Sequence, residues 1–513
     1  PDPHLDELAH HFAEGAPLGD VDKAVSYATR AGDRAMGLLA FEEAARHFEV
    51  GLQALDLKPR PDPATRCDTL LALGAALSRA GERPRSQDVF RHAADIAARI
   101  GDGERQVRAA LGFAGRHWTT GFTDQDVIEM LEPAVSGLGD GGGILRARAL
   151  GRLATELYYS PEVERADALS AEAVGIARES GDPAALASAL DARLAAVWRP
   201  ENLDERLALA DQIIELAQQA NARDSELRGR GFRATCLLEL CDAAAADAEI
   251  ELGTRIAQEL RQPLYRWHML GLRTLRALET GRFEEAERLA REAYEVGRLA
   301  DEQTAGHYLG AQMAILLYCT GDWAELEAPL AAYVERYPRL PAWRATLAFL
   351  YANTGRHQEA LVELHRAGGS DWAHVPQDST WLLGVCRAGE SAALAGDAEY
   401  ASMLYERALP YAGRNVVLGR VASISIGPVA RFLGIMAAAM GEHDAAIVHL
   451  EEGLAVTERM GALPWHAHGL HDLGRALLAR GAPGDGERAQ PLLERSAELA
   501  EQLGMRRLQE PVA

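Results

Sequence analysis

The sequence predicts an all-α chain, an α-solenoid of about twelve helix pairs. Three observations carry that prediction. The composition favours helices: hydrophobic residues make up 48% and aromatics only 6%, and Ala, Leu, Arg and Glu dominate over the β-branched and aromatic residues that strands prefer. Glycines recur at a steady interval, with Gly81, Gly121, Gly281, Gly321, Gly355, Gly396, Gly441 and Gly481 each closing one helical stretch and opening the next, at gaps near 40 residues or a small multiple of it. Between these glycines a template of small residues on one helix face repeats.

Along the chain, Phe41, Ala44, Phe48 and Gly51 give the template first. Lys58 to Pro63 (KPRPDP) reads as a stiff connection. Leu73-Gly74 is the pair expected in the first helix of a unit, and it recurs at Leu433-Gly434 and Leu473-Gly474. Gly137 to Gly143 (GLGDGGG) and Gly481 to Gly486 (GAPGDG) read as flexible connections. The first of them is no phosphate cradle, because a helix rather than a strand precedes it and no lysine follows. Ser160-Pro161, Arg199-Pro200 and Cys241-Asp242 fall where turn glycines are missing. In Gly281-Arg282-Phe283-Glu284-Glu285-Ala286 the glycine turns the chain and the aromatic starts a helix, whose Ala286, Ala290 and Ala293 share one face. Small side chains there let two helices approach closely. Gly396, Ala398, Ala401, Tyr405 and Ala408 repeat the pattern, as do Gly441, His443, Ala446, Leu450 and Gly453.

These spacings resemble the tetratricopeptide repeat (TPR), in a long-helix form, over nearly the whole chain. The resemblance implies a right-handed superhelix. The stretches around 100–140 and 222–260 match only in period, and HEAT-like helix pairs are the competing reading for them.

The net charge of −23, from 53 basic and 76 acidic residues, disfavours a nucleic-acid partner. Acidic residues alternate with arginines, as on solvated helix faces. Cys67, Cys236, Cys241, Cys319 and Cys386 are too few and scattered for a disulfide framework, so reduced thiols in a cytoplasm are expected. No apolar run is long enough to span a membrane. The start, Pro1-Asp2-Pro3-His4, has no signal pattern and no initiator Met, which suggests a piece of a longer polypeptide.

The N-terminal stretch adds a second resemblance. His4-Leu5-Asp6-Glu7-Leu8-Ala9-His10-His11-Phe12 precedes Asp22-Lys23-Ala24-Val25-Ser26-Tyr27-Ala28, and Ala31-Gly32-Asp33-Arg34-Ala35 leads into Phe41-Glu42-Glu43-Ala44-Ala45-Arg46-His47-Phe48. This is similar to the junction between the ATPase module and the TPR sensor of bacterial STAND-class signal-transduction ATPases. LuxR-type large ATP-binding regulators, MalT-like activators and ATPase-linked cyclases are examples. The resemblance implies a junction over residues 1–36, a sensor array over 37–513 and an ATPase module upstream. The chain departs from the complete family layout. Lys23 and Lys58 are its only lysines, neither follows a glycine, and no basic recognition helix follows the last repeat.

Catalytic constellations are absent from the sequence: there is no His-Glu-x-x-His, Gly-x-Ser-x-Gly or Cys-x-x-Cys. No catalytic residue, cofactor or metal ligand is assigned. In Trp465-His466-Ala467-His468-Gly469-Leu470-His471 the last two histidines share a helix face beside Asp472, but 16 histidines make such a cluster cheap. The expected site is instead a concave groove lined by first helices, holding a peptide, a protein partner or a small inducer. Its inward positions are Tyr308, Gln312, Tyr318, Phe349, Asn353, Arg387, Glu390, Arg431, Phe432, His468, His471 and Arg475, with the three arginines as planar hydrogen-bond forks. Trp323, Trp343, Trp372 and Trp381 are expected to fill gaps between irregular units. A free-standing scaffold that docks peptides or subunits is the alternative to a sensor.

Overall fold

The computed structural model describes residues 4–115, 121–139, 141–321, 323–419 and 423–509. Pro1 to Pro3, the end at Ala513 and Asp140 of the glycine-rich loop lie outside the described residues. The chain divides into two compact units, 1–196 and 197–513.

The first unit holds α1 (Leu5–Gly15), α2 (Val21–Gly37), α3 (Phe41–Asp56), α4 (Pro63–Ala80), α5 (Arg83–Ile100), α6 (Gly103–Ala114), α7 (Gln125–Leu138), α8 (Gly143–Glu156), α9 (Val163–Glu179) and α10 (Pro183–Ala196). Each helix packs on the next, and α4, α6, α8 and α10 also touch in series as first helices of their pairs. Asp62, Asp102 and Asp124 cap three of these helices by accepting a hydrogen bond from the third backbone amide onward.

In the second unit come α11 (Leu203–Gln219), α12 (Arg223–Glu239), α13 (Ala243–Leu260), α14 (Pro263–Glu279), α15 (Phe283–Thr320), α16 (Glu327–Arg336), α17 (Pro341–Asn353), α18 (His357–Gly368), α19 (Trp381–Ala395) and α20 (Ala398–Ala408). A hairpin of β1 (Asn415–Leu418) and β2 (Ile424–Pro428) follows, then α21 (Val429–Ala439), α22 (His443–Met460), α23 (Leu463–Arg480) and α24 (Asp485–Leu503). α15 is two helices joined at Asp301, whose φ of −158° and ψ of 106° are not helical. The architecture is therefore a TPR-like α-solenoid that holds, among the described residues, one small antiparallel sheet.

The turn glycines do what the spacing demands. Gly81, Gly121, Gly281, Gly355, Gly396, Gly441 and Gly481 all have positive φ, the region that only glycine enters freely. Gly321 differs, with φ of −109°. At a missing mark, Cys241 adopts φ of 63° itself, and Asp242 caps α13 behind it.

The Leu-Gly pairs have an equally physical reason. A Cβ at Gly74 would lie 2.8 Å from the Phe90 ring, one at Gly434 2.5 Å from Leu450 and one at Gly474 2.7 Å from Leu493. In each pair the first helix lacks a side chain where the second helix inserts a large one. Gly32 hosts Phe48 in the same way, at 2.6 Å. All five cysteines are buried free thiols.

The second unit turns back on itself. α13 lies against α22 and α14 against α23. Arg276 on α14 reaches the Met460 carbonyl at 3.5 Å, and the Gly281 turn packs on Leu503. The first helices α12, α14, the second half of α15, α17, α19, α21 and α23 thus surround an interior.

Candidate binding groove

The interior of the second unit is occupied by the chain itself. Every residue of β1 and β2 is buried. β1 meets α12 and α19, while β2 meets α14, α15 and α22. Val417 pairs with Ser425 and Leu418 with Ile424, with an irregularity between Asn415 and Val417. The β-branched residues Val416, Val417, Ile424 and Ile426 suit such a two-sided buried ribbon. Pro428 ends it and sits at the N-cap of α21, where no backbone donor is needed.

Polar contacts fix the hairpin as well as apolar ones. Asn415 Nδ2 donates to Glu279 Oε1 at 3.1 Å and to Ser425 Oγ at 3.1 Å. Glu279 in turn accepts from Arg276 Nη1 at 2.6 Å, and Arg276 Nε donates to Asp247 at 2.7 Å. Gln312 Nε2 donates to the Ser423 carbonyl at 3.2 Å and the Gly271 carbonyl at 3.4 Å. Arg414 donates to the Pro200 carbonyl, and Cys241 Sγ contacts the Gly413 carbonyl at 3.6 Å.

The expected groove residues converge beside this hairpin, but as a packed interior rather than an open channel. Tyr318 is buried, stacked on Trp323 with ring centroids 4.9 Å apart and on His468 at 5.2 Å. Arg387 lies over the Phe349 ring at 4.2 Å and over Tyr318 at 5.1 Å. Its Nη1 donates to Glu390 at 2.8 Å; Arg431 donates to the same carboxylate at 3.2 Å and to Asp472 at 2.7 Å. Phe432 is fully buried beneath Arg431.

The outer members of the set lie elsewhere. Tyr308 is half-buried edge-on to Trp267, and Asn353 donates to its own helix at the Phe349 carbonyl. His471 is half-buried and Arg475 exposed. The expectation of three free guanidinium forks is corrected accordingly. Arg387 and Arg431 already hold carboxylates, and Arg475 points to solvent. The physical reason is the closure of the unit, which buries the first-helix faces and so requires their charges to be paired.

Burial governs the electrostatics. It pushes the Tyr318 hydroxyl and the Asp472 carboxyl above their ordinary values, the latter against the pull of Arg431. Burial also holds the His468 imidazole neutral, well below its usual range, and the neighbouring Arg431 adds to this. Arg431 Nη1, His468 Nε2 and Trp465 Nε1 have no protein partner among the described residues. His466 faces away and bonds Thr457 at 2.9 Å.

A cavity of about 40 Å³ remains between Tyr318, Trp323, Trp343, Phe349, Arg387 and the hairpin residues Ile424 and Ile426. Ligand pockets run to roughly 300–1,000 Å³, so with the hairpin in place this space admits no drug-sized molecule. In the first unit a more open cleft of about 370 Å³ lies among Asp22, Ser26, Thr29, Arg30, Lys58 and Asp62.

Sequence reasoning missed the hairpin, although the β-branched residues Val416, Val417, Ile424 and Ile426 gather between Gly413 and Pro428 as strand residues do. It also missed Glu279, Arg276 and Asp247, whose pairing depends on the helices that face them. The tryptophans fill space as expected: Trp323, Trp343, Trp372 and Trp381 are all buried. No helix among the described residues is long and apolar enough to cross a membrane.

No protein-family model matches the chain, and no curated protein matches it. Solved structures are similar to it at low identity. The Cut9–Hcn1 hetero-tetramer of the APC/C is 14% identical over 93% of this chain and 87% of that one, with a TM-score of 0.48. Yeast Tom70 is 14% identical over 94% and 99%, with a TM-score of 0.36. A STAND protein with a tetratricopeptide repeat sensor from Pyrococcus horikoshii is 12% identical over 72% of this chain, with a TM-score of 0.34. The chain spans about half, 52%, of that protein's length. Identities this low speak to fold alone, and the TPR-like assignment rests on the chain's own paired helices, turn glycines and glycine-hosted side chains.

Proposed function

We propose that this chain is the ligand- or protein-binding sensor region of a bacterial STAND-type signalling or transcriptional regulator, working in the cytoplasm and non-catalytic by itself. Residues 1–36 are then the junction to an ATPase module upstream. The N-terminal register that resembles such junctions supports the family; the observation that carries the sensor role is the hairpin lodged inside the second unit. A sensor needs an element with two arrangements that a ligand can bias. The hairpin is connected on one side through residues 409–414 and held by a small set of polar contacts from Glu279 and Gln312. A partner that binds the first-helix faces better with the hairpin displaced shifts the population by its differential affinity. In a solenoid, small changes between neighbouring pairs then add along the array.

The buried ionisable groups Arg387, Glu390, Arg431 and Asp472 are committed to one another. The experiment is an immunoblot of source cells with an antibody to this chain. A product far above 55.4 kDa is expected, and a product at that mass overturns the sensor reading. The second reading, a scaffold docking peptides or subunits, is favoured by the open cleft of the first unit and would be left standing by that result.

A further inference from the structure

A cluster at the start of the array has a different character from the rest of the surface. Asp6 on α1, and Glu43 and His47 one turn apart on α3, bring two carboxylate oxygens and an imidazole nitrogen within 4.8 Å of one another. His47 is 17% exposed in its side chain, so its ring is held by packing, while both carboxylates face water. Elsewhere in this chain neighbouring carboxylates are bridged by arginine. Arg105 joins Asp68 to Asp102, Arg230 joins Glu226 to Glu249, and Arg276 joins Asp247 to Glu279. Among the described residues no arginine or lysine pairs with Asp6 or Glu43, and the two acids meet across an imidazole instead. Two carboxylates and an imidazole this close can act together as ligands to one cation.

The spacing also has a coordination meaning. His47 Nε2 lies 3.5 Å from Asp6 Oδ1. Two ligand atoms on a tetrahedral metal with bonds of about 2.1 Å are about 3.4 Å apart. We infer that Asp6, Glu43 and His47 form a site for a divalent transition-metal cation of the Zn²⁺ class. One imidazole and two carboxylates are a borderline-hard donor set suited to Zn²⁺ or Co²⁺. Three protein ligands leave a fourth position to water. The cation ties α1 to α3 across α2, fixing the first helix on the array, so binding orders α1 and neutralises two acidic side chains at once.

The test is titration of the full chain with Zn²⁺ by calorimetry and with Co²⁺ by visible absorption, alongside Asp6→Asn, His47→Gln and His10→Gln. The last is a control, since exposed His10 lies beside Glu14. The expected result is one site per chain with the d–d bands of low-coordinate Co²⁺. Affinity should fall about tenfold or more in Asp6→Asn and His47→Gln and stay unchanged in His10→Gln. Hydrogen exchange over residues 5–15 should slow on adding Zn²⁺ to the parent chain. No saturable binding to the parent chain, or binding that survives both substitutions, overturns the assignment. The parent titration and its exchange readout decide the matter even if a variant misfolds.

Discussion

Replacing Arg431 by methionine tests the buried charge network most severely. Its guanidinium is 4% exposed in its side chain and satisfies Asp472 at 2.7 Å and Glu390 at 3.2 Å. Methionine keeps the volume and removes the charge. Glu390 retains Arg387, but Asp472 is left without its cation. Breaking a buried pair from one side is worth about 3–5 kcal/mol. Asp472 keeps 19% side-chain exposure, which places the expected loss at the lower end, about 3 kcal/mol. That corresponds to roughly two orders of magnitude in the folded-to-unfolded ratio. Urea unfolding followed by tryptophan fluorescence is the assay, because seven of the eight tryptophans fall within 197–513. The additional change Asp472→Asn should recover about half of the loss, since it removes the stranded charge. The deficit should also shrink in acid. Burial already raises the Asp472 carboxyl; without Arg431 it rises further, so the penalty is full at high pH and is relieved as pH falls through the folded-state value. A single variant within 0.5 kcal/mol of the parent, on the order of an ordinary surface change, would refute the reasoning.

Three further outcomes follow from the same physics. Burial pushes Asp378 up to about 6 from 3.8, against the Thr380 hydrogen bonds that lower it, so the folded state holds a proton across that interval and stability declines as pH rises through it; Asp378→Asn, which keeps the acceptor for Thr380, should gain about 2 kcal/mol at pH near 8 and nothing near 4 by chemical denaturation. His307, enclosed by Tyr333, Tyr337 and Trp343, is lowered to about 4 by burial; protonation then favours the unfolded chain, stability is lost as pH falls from about 6.5 towards 4, and His307→Phe should abolish on the order of 2 kcal/mol of that loss in paired denaturation curves. Gly74→Ala places a methyl 2.8 Å from the Phe90 ring and should destabilise the first unit by about 1–3 kcal/mol, seen in thermal melting by circular dichroism.

The repeat was legible because its signals are local. A glycine at positive φ, an aromatic two residues on and a glycine opposite a large side chain are each fixed within one helix pair, as Gly281 with Phe283 and Gly74 with Phe90 show. Periodicity places Tyr318, Arg387 and Arg431 on one face of their helices, and all three are buried in the second unit. Periodicity does not say whether the interior is open. That depends on the return of α22 and α23 to α13 and α14, and on the hairpin, both products of distant pairing. Arg276 with the Met460 carbonyl and Gln312 with the Ser423 carbonyl are contacts over more than a hundred residues, and no window of sequence contains both partners. The Asp6, Glu43 and His47 cluster was hidden for the same reason, since its ligands come from two separate helices.

The most direct test of the central claim, that the interior of the second unit is held by its own hairpin, is hydrogen exchange on the full chain, resolved over residues 413–429. The account predicts the amides that bridge β1 and β2 protected to the level of the neighbouring helices α19 and α21. Asn415→Ala, which removes the bond to Glu279, should loosen them without unfolding those helices. Ladder amides that exchange as fast as an unstructured loop in the parent chain would contradict it, leaving the interior open and the groove free for a partner without displacement.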